Sequence, residues 1–419
     1  MLHERTVDRC SSRTTAPPPP DAPLTSRDQA RRHTVAVGFR TGPARQLGVE
    51  LEYTVHHVGA PARPVRAEEL REALGPHAPI VLDPDQPPRP LPGGSWVTIE
   101  PGGQVELSTA PQPGLSALAV AAEADRRRLA GLLGDHGLVC GRAGLDPARP
   151  PRPVLRTPRY EAMARAYDRD GAAGHIMMRC SAGLQVCLDA GEPGELTARW
   201  TALHLFGPPL LAAFATSSRL AGRDTGQASA RMVAWLDITA GRTDPVWSPG
   251  VVQSPGDAWA AYALDAPLLC VRRDGPDWSA PPGITFGDWL DGALPEPPTT
   301  RDLDHHLSTL FPPVRPRGYL EVRYLDAQPG PDWIAPTAAL AALLADPTTT
   351  ERAADLCAPA ADRWRAAATA GMADPVVGPV ARELLVLAGR ELAGVGLPDA
   401  EAARVRAIFE RRTTGEGRP

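Results

Sequence analysis

The chain has 419 residues, with 44 basic against 49 acidic side chains and a net charge of −5, so there is no electrostatic case for a nucleic-acid or other polyanion partner. Every basic residue is Arg, so any phosphate or carboxylate clamp must use guanidinium or backbone N–H groups, never an ammonium. The 48 Pro and 39 Gly make the chain rich in loops, but no collagen period appears, and 43% apolar residues suffice for a core.

Residues 1–24, with Pro17-Pro18-Pro19-Pro20, are expected to be disordered, and MLHERTVDRC has no apolar stretch of the kind a signal peptide needs. The first predicted strand is LGVELEYTV (47–55). Its alternation puts Leu47, Val49, Leu51, Tyr53 and Val55 on one face and Glu50 and Glu52 on the other. A hairpin follows: 96–100, a Pro101-Gly102-Gly103 turn, then 104–108, with Gln104, Glu106 and Ser108 sharing a face. Leu118, Ala122, Leu129, Leu132 and Leu133 recur at helical spacing over 116–134. The third strand is LQVCLD (184–189), with Gln185, Cys187 and Asp189 on one face. Residues 195–219 are predicted as a helix. Its most apolar part, 202–216, is interrupted by His204 and Pro208-Pro209 and is too short to span a membrane. The fourth strand, YLEVRYL (319–325), sets Glu321 and Arg323 on one face. From Ala335 the pattern is almost wholly helical, with a tail from Thr413. Hairpins mixed with helices and a helical C-terminal third predict an α+β fold rather than a doubly wound sheet. The six Cys show neither CxxC nor zinc spacing, which points to a reduced, cytoplasmic protein, and with no spanning segment no membrane partner is expected.

Glu50, Glu52, Glu100, Glu106 and Glu321 all fall on strand-like segments. Carboxylates gathered on one face raise each other's pKa or need a cation between them. Oxygen donors without a His or Cys cluster suit a hard cation, Mg²⁺ or Mn²⁺, of the kind that bridges nucleotide phosphates. No Walker A motif and no GxGxxG after a strand is present. His56-His57 and His305-His306, read as strand neighbours pointing to opposite faces, are expected at the surface or behind the site. Arg126-Arg127-Arg128 reads as a solvated helix face.

GVELE (48–52), EPGGQVELS (100–108), MMRCSAGLQVCLD (177–189), RMVAWLD (231–237), YALDAP (262–267) and HLSTLFPPVRPRGYLEVRYLD (306–326) together resemble the plant-type glutamate–cysteine ligase family. Within it, the chain is most similar to the bacterial ligases that open ergothioneine biosynthesis. The resemblance runs in order from about residue 25 to 330 and more weakly beyond. It implies a single catalytic domain over 25–412, helical from about 335, with residues 413–419 as a tail. It implies a glutamine-synthetase-like antiparallel sheet that forms a funnel, with ATP entering one side, L-glutamate the other, and two or three Mg²⁺ between. It also implies a reaction in which the glutamate γ-carboxylate attacks ATP and the amine of L-cysteine displaces phosphate from the acyl phosphate.

By the same resemblance Glu50, Glu52, Glu100, Glu106 and Glu321 are the metal-binding carboxylates, and Gln185 is the amide beside metal or phosphate. Arg323 and Glu321 are the catalytic pair. Arg315, in the loop before the fourth strand, joins Arg323 and Gln185 at ATP. Arg231, Arg179 and Trp235 hold substrate. Position 183 is Gly and position 187 is Cys where the family usually has Ser and Asn, which bears on substrate fit. A ligase with another amine acceptor, or a phosphotransferase of the same broad fold, remains open on the residues alone.

Overall fold

The computed structural model describes residues 21–42, 46–169, 171–238 and 241–414; most of the proline-rich N-terminal segment and the last five residues lie outside them. The α+β class expected from the sequence is observed. The strands are β1 (Leu47–Tyr53), β2 (Val55–His57), β3 (Trp96–Ile99), β4 (Val105–Ser108), β5 (Leu138–Cys140), β6 (Gly183–Leu188), β7 (Arg219–Leu220), β8 (Arg223–Asp224), β9 (Val314–Pro316) and β10 (Leu320–Asp326). Six of them form one sheet in the order β3-β4-β1-β6-β10-β9, antiparallel throughout.

Alternation along these strands sends Val49, Leu51, Val97, Leu107, Leu184, Val186 and Val322 into one buried layer. The helix Leu115–Gly134 covers part of it with Leu118, Ala122, Leu129 and Leu133. Each of these Val and Leu side chains contributes about 1.5–3 kcal/mol when fully removed from water. The helix Gly207–Phe214 is buried along its whole length and packs on β10. Val377–Glu391 packs in turn against both that helix and Ile334–Leu343. The helical C-terminal part therefore supports the sheet from its apolar side.

Two local devices shape the opposite face. The β3–β4 turn closes with Gly103 N donating to Glu100 O, and Gly103 has a φ of +83°, which favours glycine. A Cβ on the neighbouring Gly102 would fall 1.9 Å from the carbonyl oxygen of Arg179, so the turn lies directly on the end of the helix Ala172–Cys180. In β10, Val322 pairs with Val186 but Leu325 pairs with Leu184, so Arg323 and Tyr324 together oppose the single Gln185. This extra residue is a β-bulge, and beyond it the alternation is reversed.

Several expectations need correction. The helix predicted over 195–219 is broken into Leu196–Leu205 and Gly207–Phe214, and Arg219 belongs to β7. Pro208 and Pro209 start a new helix where missing N–H groups are tolerated, and Gly207 lies against the Trp364 ring, where a Cβ would come within 1.9 Å. The first strand ends at Tyr53, and Val55–His57 pairs with β5 in a separate sheet. His305 and His306 lie on the helix Thr300–Leu307, not on a strand. Residues 21–24 are ordered: Leu24 is buried and donates its N–H to Pro298 O at 2.8 Å. The final helix, Asp399–Thr414, runs past the boundary expected at 413. Among the described residues no helix is long and apolar enough to cross a membrane.

Candidate active site

The sheet face opposite the apolar layer is built by register. Thr98 sits opposite Glu106, Glu106 opposite Glu52, Glu50 opposite both Ser108 and Gln185, and Glu321 opposite both Cys187 and Arg315. Glu100 extends the row at the end of β3. The five carboxylates named from the sequence are thus brought to one face, with Gln185 and Arg323 among them.

The carboxylates differ in what satisfies them. Glu52 accepts from Gly183 N at 2.6 Å and from Gln185 Nε2 at 2.7 Å. Glu106 Oε1 accepts from the Thr98 and Ser108 hydroxyls, both at 2.8 Å. Glu321 is fully buried and held by arginines: Arg315 Nε and Arg323 NH1 each lie 2.7 Å from Oε2, and Arg317 NH1 lies 3.4 Å from Oε1. Burial opposes ionisation of Glu321, but the three guanidinium groups outweigh it and hold its carboxyl well below the usual range.

The other carboxylates behave oppositely. Burial, then the charges of Glu106 and Glu321, push Glu50 up to about 8. Burial and Glu52 push Glu100 up to about 7, and burial with Glu100 and Glu52 pushes Glu106 up to about 7. Like charges crowded in a low-dielectric face cannot all ionise unaided.

This donor set fits a divalent cation. Among the described residues no hydrogen bond supports the carboxylate of Glu50 or Glu100, and Glu106 Oε2 takes neither hydroxyl. Oxygen donors of this kind suit Mg²⁺ or Mn²⁺. Glu50, Cys187 and Glu321 also place ligand atoms within 4.8 Å of one another. The thiol is a soft donor and the wrong partner for Mg²⁺.

The arginines are placed less uniformly. Arg323 is buried, bonds Glu321 and the Gln185 carbonyl, and keeps Nε without a partner. Arg315 lies in β9 rather than in a loop, because its neighbours pair with β10; it is buried, shared between Glu321 and Leu310 O, and burial and Arg323 lower its pKa to about 10. Arg231 is 1% exposed. Its NH2 donates to Arg323 O at 3.0 Å and its guanidinium lies 4.9 Å from the Trp235 ring centre. Its carboxylate neighbour is Asp326, 3.8 Å from NH1, while Asp237 at the end of its helix pairs with Arg365 at 2.8 Å. Trp235 is buried and donates to Phe311 O at 2.8 Å. Arg179 ends its helix against the β3–β4 turn; among the described residues no contact brings its guanidinium to the carboxylates, and its Nε is buried without a partner.

Sequence reasoning missed four neighbours. Arg317 stands two residues after Arg315, a period-2 signal that could have revealed it. Arg159 acts electrostatically on Glu100 and is anchored to Ser308 Oγ at 2.9 Å. Phe311 lies 5.8 Å from the Arg323 guanidinium. Asp326 reaches this face only through the bulge. Of the histidine pair at 305–306, His306 bonds Ala263 O at 2.8 Å, and His305 lies behind Arg159, 3.3 Å from its NH1. Arg126 and Arg127 pair with Glu123.

The family described as Glutamate-cysteine ligase family 2 (GCS2) matches residues 46–413. The chain is 37% identical over 404 residues to glutamate–cysteine ligase EgtA of Mycolicibacterium smegmatis, covering 94% of this chain and 91% of that one. It is 29% identical to the chloroplastic glutamate–cysteine ligase of Medicago truncatula, covering 82% and 70%. Among solved structures, a glutamate–cysteine ligase of Francisella tularensis in complex with AMP shares the fold, with a TM-score of 0.51 at 13% identity, covering 91% of this chain and 84% of that one.

Proposed function

The chain belongs to glutamate–cysteine ligase family 2, an ATP-dependent ligase family, and on that premise we propose that it joins the γ-carboxylate of L-glutamate to the amine of L-cysteine. The product is γ-glutamylcysteine, made through γ-glutamyl phosphate and used for ergothioneine biosynthesis. The observation that carries this reading is the division of one sheet face: the open carboxylates of Glu50, Glu100 and Glu106 on one side, the guanidinium groups of Arg315 and Arg323 on β9 and β10 on the other, and Gln185 bridging Glu52 to Arg323.

The chemistry needs such a division. The attacking γ-carboxylate and the triphosphate are both anions and repel each other in a desolvated site. Mg²⁺ held by Glu50, Glu52, Glu100 and Glu106 would screen that repulsion and draw charge from the phosphates. The guanidinium of Arg323, with its Nε unpaired, is oriented by Glu321 and Gln185 to meet charge that develops on the transferred phosphoryl group. Arg315 and Arg317 add positive charge on the same side. A carboxylate oxygen forms the new bond to phosphorus as ADP leaves. The amine nitrogen then attacks the acyl carbon, phosphate departs with the bonding electrons, and the amine gives up a proton. Arg231 and Trp235 serve as the glutamate-holding pair, with Arg179 as the alternative cation. Glu321 serves chiefly to hold the arginines, since both its oxygens are engaged by them. No disulfide joins the described cysteines, in keeping with a cytoplasmic, reducing setting where ATP is present.

The test is incubation with ATP, Mg²⁺, glutamate and a panel of amino acids, with products identified by mass. γ-Glutamylcysteine, ADP and phosphate are expected, with phosphate released only when an amine acceptor is present. A larger yield with another amino acid would move the acceptor away from cysteine. A phosphorylated product without an acceptor would favour a phosphotransferase.

A further inference from the structure

Asp326 has no role in the chemistry above, yet it is fully buried beside the residues that do. It accepts hydrogen bonds from Thr216 N at 2.8 Å, Ser217 Oγ at 2.7 Å and Ser229 Oγ at 2.9 Å. Those two hydroxyls face the start of the helix Ala230–Leu236. Ser229 caps it by accepting from Met232 N at 3.2 Å, and Ser217 Oγ accepts from Arg231 N at 3.2 Å. Asp326 thus orients the hydroxyls that anchor the helix carrying Arg231 and Trp235. It also lies 3.8 Å from Arg231 NH1. The same guanidinium bonds Arg323 O, stacks over Trp235, and fills the space at Gly183, where a Cβ would come within 2.5 Å of NH2. Arg231 Nε is buried with no partner. A buried cation held on so many sides, with its Nε–H still unpartnered, is preorganised for an anion it does not yet touch.

We infer that Asp326 is a positioning residue that fixes the guanidinium of Arg231 for the glutamate α-carboxylate. The inference rests on the reading of Arg231 as the glutamate-holding residue. Asp326 touches no substrate. It acts through Arg231 and through the serine cap beneath it. The β10 bulge makes this geometry: without the extra residue, strand alternation would point Asp326 into the apolar layer.

The experiment is a double-mutant cycle with Asp326→Asn, Arg231→Lys and the pair, reading the Michaelis constants for glutamate and ATP separately along with thermal melting. Asp326→Asn is expected to raise the glutamate constant roughly 10- to 100-fold while leaving the ATP constant little changed. The double variant is expected to be no weaker for glutamate than Arg231→Lys alone, because both changes break one unit. Additive losses, or both constants rising together, would overturn the inference. Should Asp326→Asn melt too low to assay, Ser229→Ala keeps the carboxylate and loosens only the cap; it must show the same selective loss of glutamate affinity, and a parallel drift of both constants overturns the role. An unchanged glutamate constant in Arg231→Lys would overturn the clamp itself. A parent protein that consumes no glutamate would overturn the proposed function instead.

Discussion

Glu52 and Gln185 are joined across β1 and β6 by a 2.7 Å bond from the amide Nε2 to the carboxylate Oε1, and this contact decides which way the amide points. With its NH2 group committed to Glu52, Gln185 turns its carbonyl oxygen to the Arg323 guanidinium. One neutral side chain therefore separates the carboxylates from the arginines and orients both.

Replacing that amide tests the separation. Gln185→Glu preserves the shape, removes the donor to Glu52 and adds a carboxylate beside it. Turnover should fall about 100-fold or more, the scale of losing one preorganised polar contact at the reacting centre. Steady-state rates at saturating ATP and glutamate measure this, and near-parental turnover would show that the bridge is dispensable.

The carboxylate cluster predicts a coupling between pH and metal. Glu50, Glu100 and Glu106 have pKa values raised from the usual 4.5 to about 8, 7 and 7. In the metal-free protein they hold protons that the unfolded chain has released, so folding takes up protons. Their stabilisation is complete below the unfolded value of 4.5 and is lost progressively as pH rises from there through the folded values of about 7 to 8. The melting temperature in chelator should therefore drop over that range. Mg²⁺ should raise it more at pH 8 than at pH 5.5, since binding must displace protons. Activity should vanish in chelator and return with Mg²⁺ or Mn²⁺ but not with Zn²⁺ alone. A Mg²⁺-induced melting shift independent of pH would contradict this arrangement, as would full activity in chelator.

Glu321 and Arg323 should separate stability from turnover. Glu321→Gln leaves three arginines around a neutral acceptor, and breaking a buried ion pair from one side costs about 3–5 kcal/mol. Arg323→Ala leaves Glu321 with Arg315 and Arg317, so its stability loss should be smaller, while turnover drops by about 2–4 kcal/mol of barrier. Chemical denaturation beside single-turnover kinetics distinguishes the two. An Arg323→Ala enzyme that turns over normally would remove Arg323 from the chemistry.

Gly207→Ala tests the scaffold alone. The added methyl meets the Trp364 ring beneath a helix far from the carboxylates in sequence, and overpacking of this kind costs about 1–3 kcal/mol. Melting should fall while both Michaelis constants hold. A large change in either constant would mean that the helical support is coupled to the site.

Much of the site was legible because a strand has a period of two. Glu50 and Glu52, Glu106 and Ser108, and Glu321 and Arg323 could be assigned to one face from spacing alone, and the register confirms the grouping. The same rule failed at Asp326, because a bulge is an extra residue with no sequence mark in YLEVRYLD and it reverses the alternation after Arg323. The helix over 195–219 failed for a different reason. Pro208-Pro209 signalled a break there, but the need for glycine at 207 comes from Trp364, more than 150 residues away in the chain.

By itself the sequence determined the fold class, the strands that carry the carboxylates, and the reliance on arginine in a chain without lysine, since these follow from alternation and composition along contiguous residues. Only the tertiary structure decided that three arginines share Glu321, that Gln185 spans two strands to join Glu52 to Arg323, and that Asp326 turns toward Arg231. Each of those contacts joins residues from different elements. Their distances are set by strand register and a single bulge, which depend on how the whole sheet packs against its helices rather than on any local pattern.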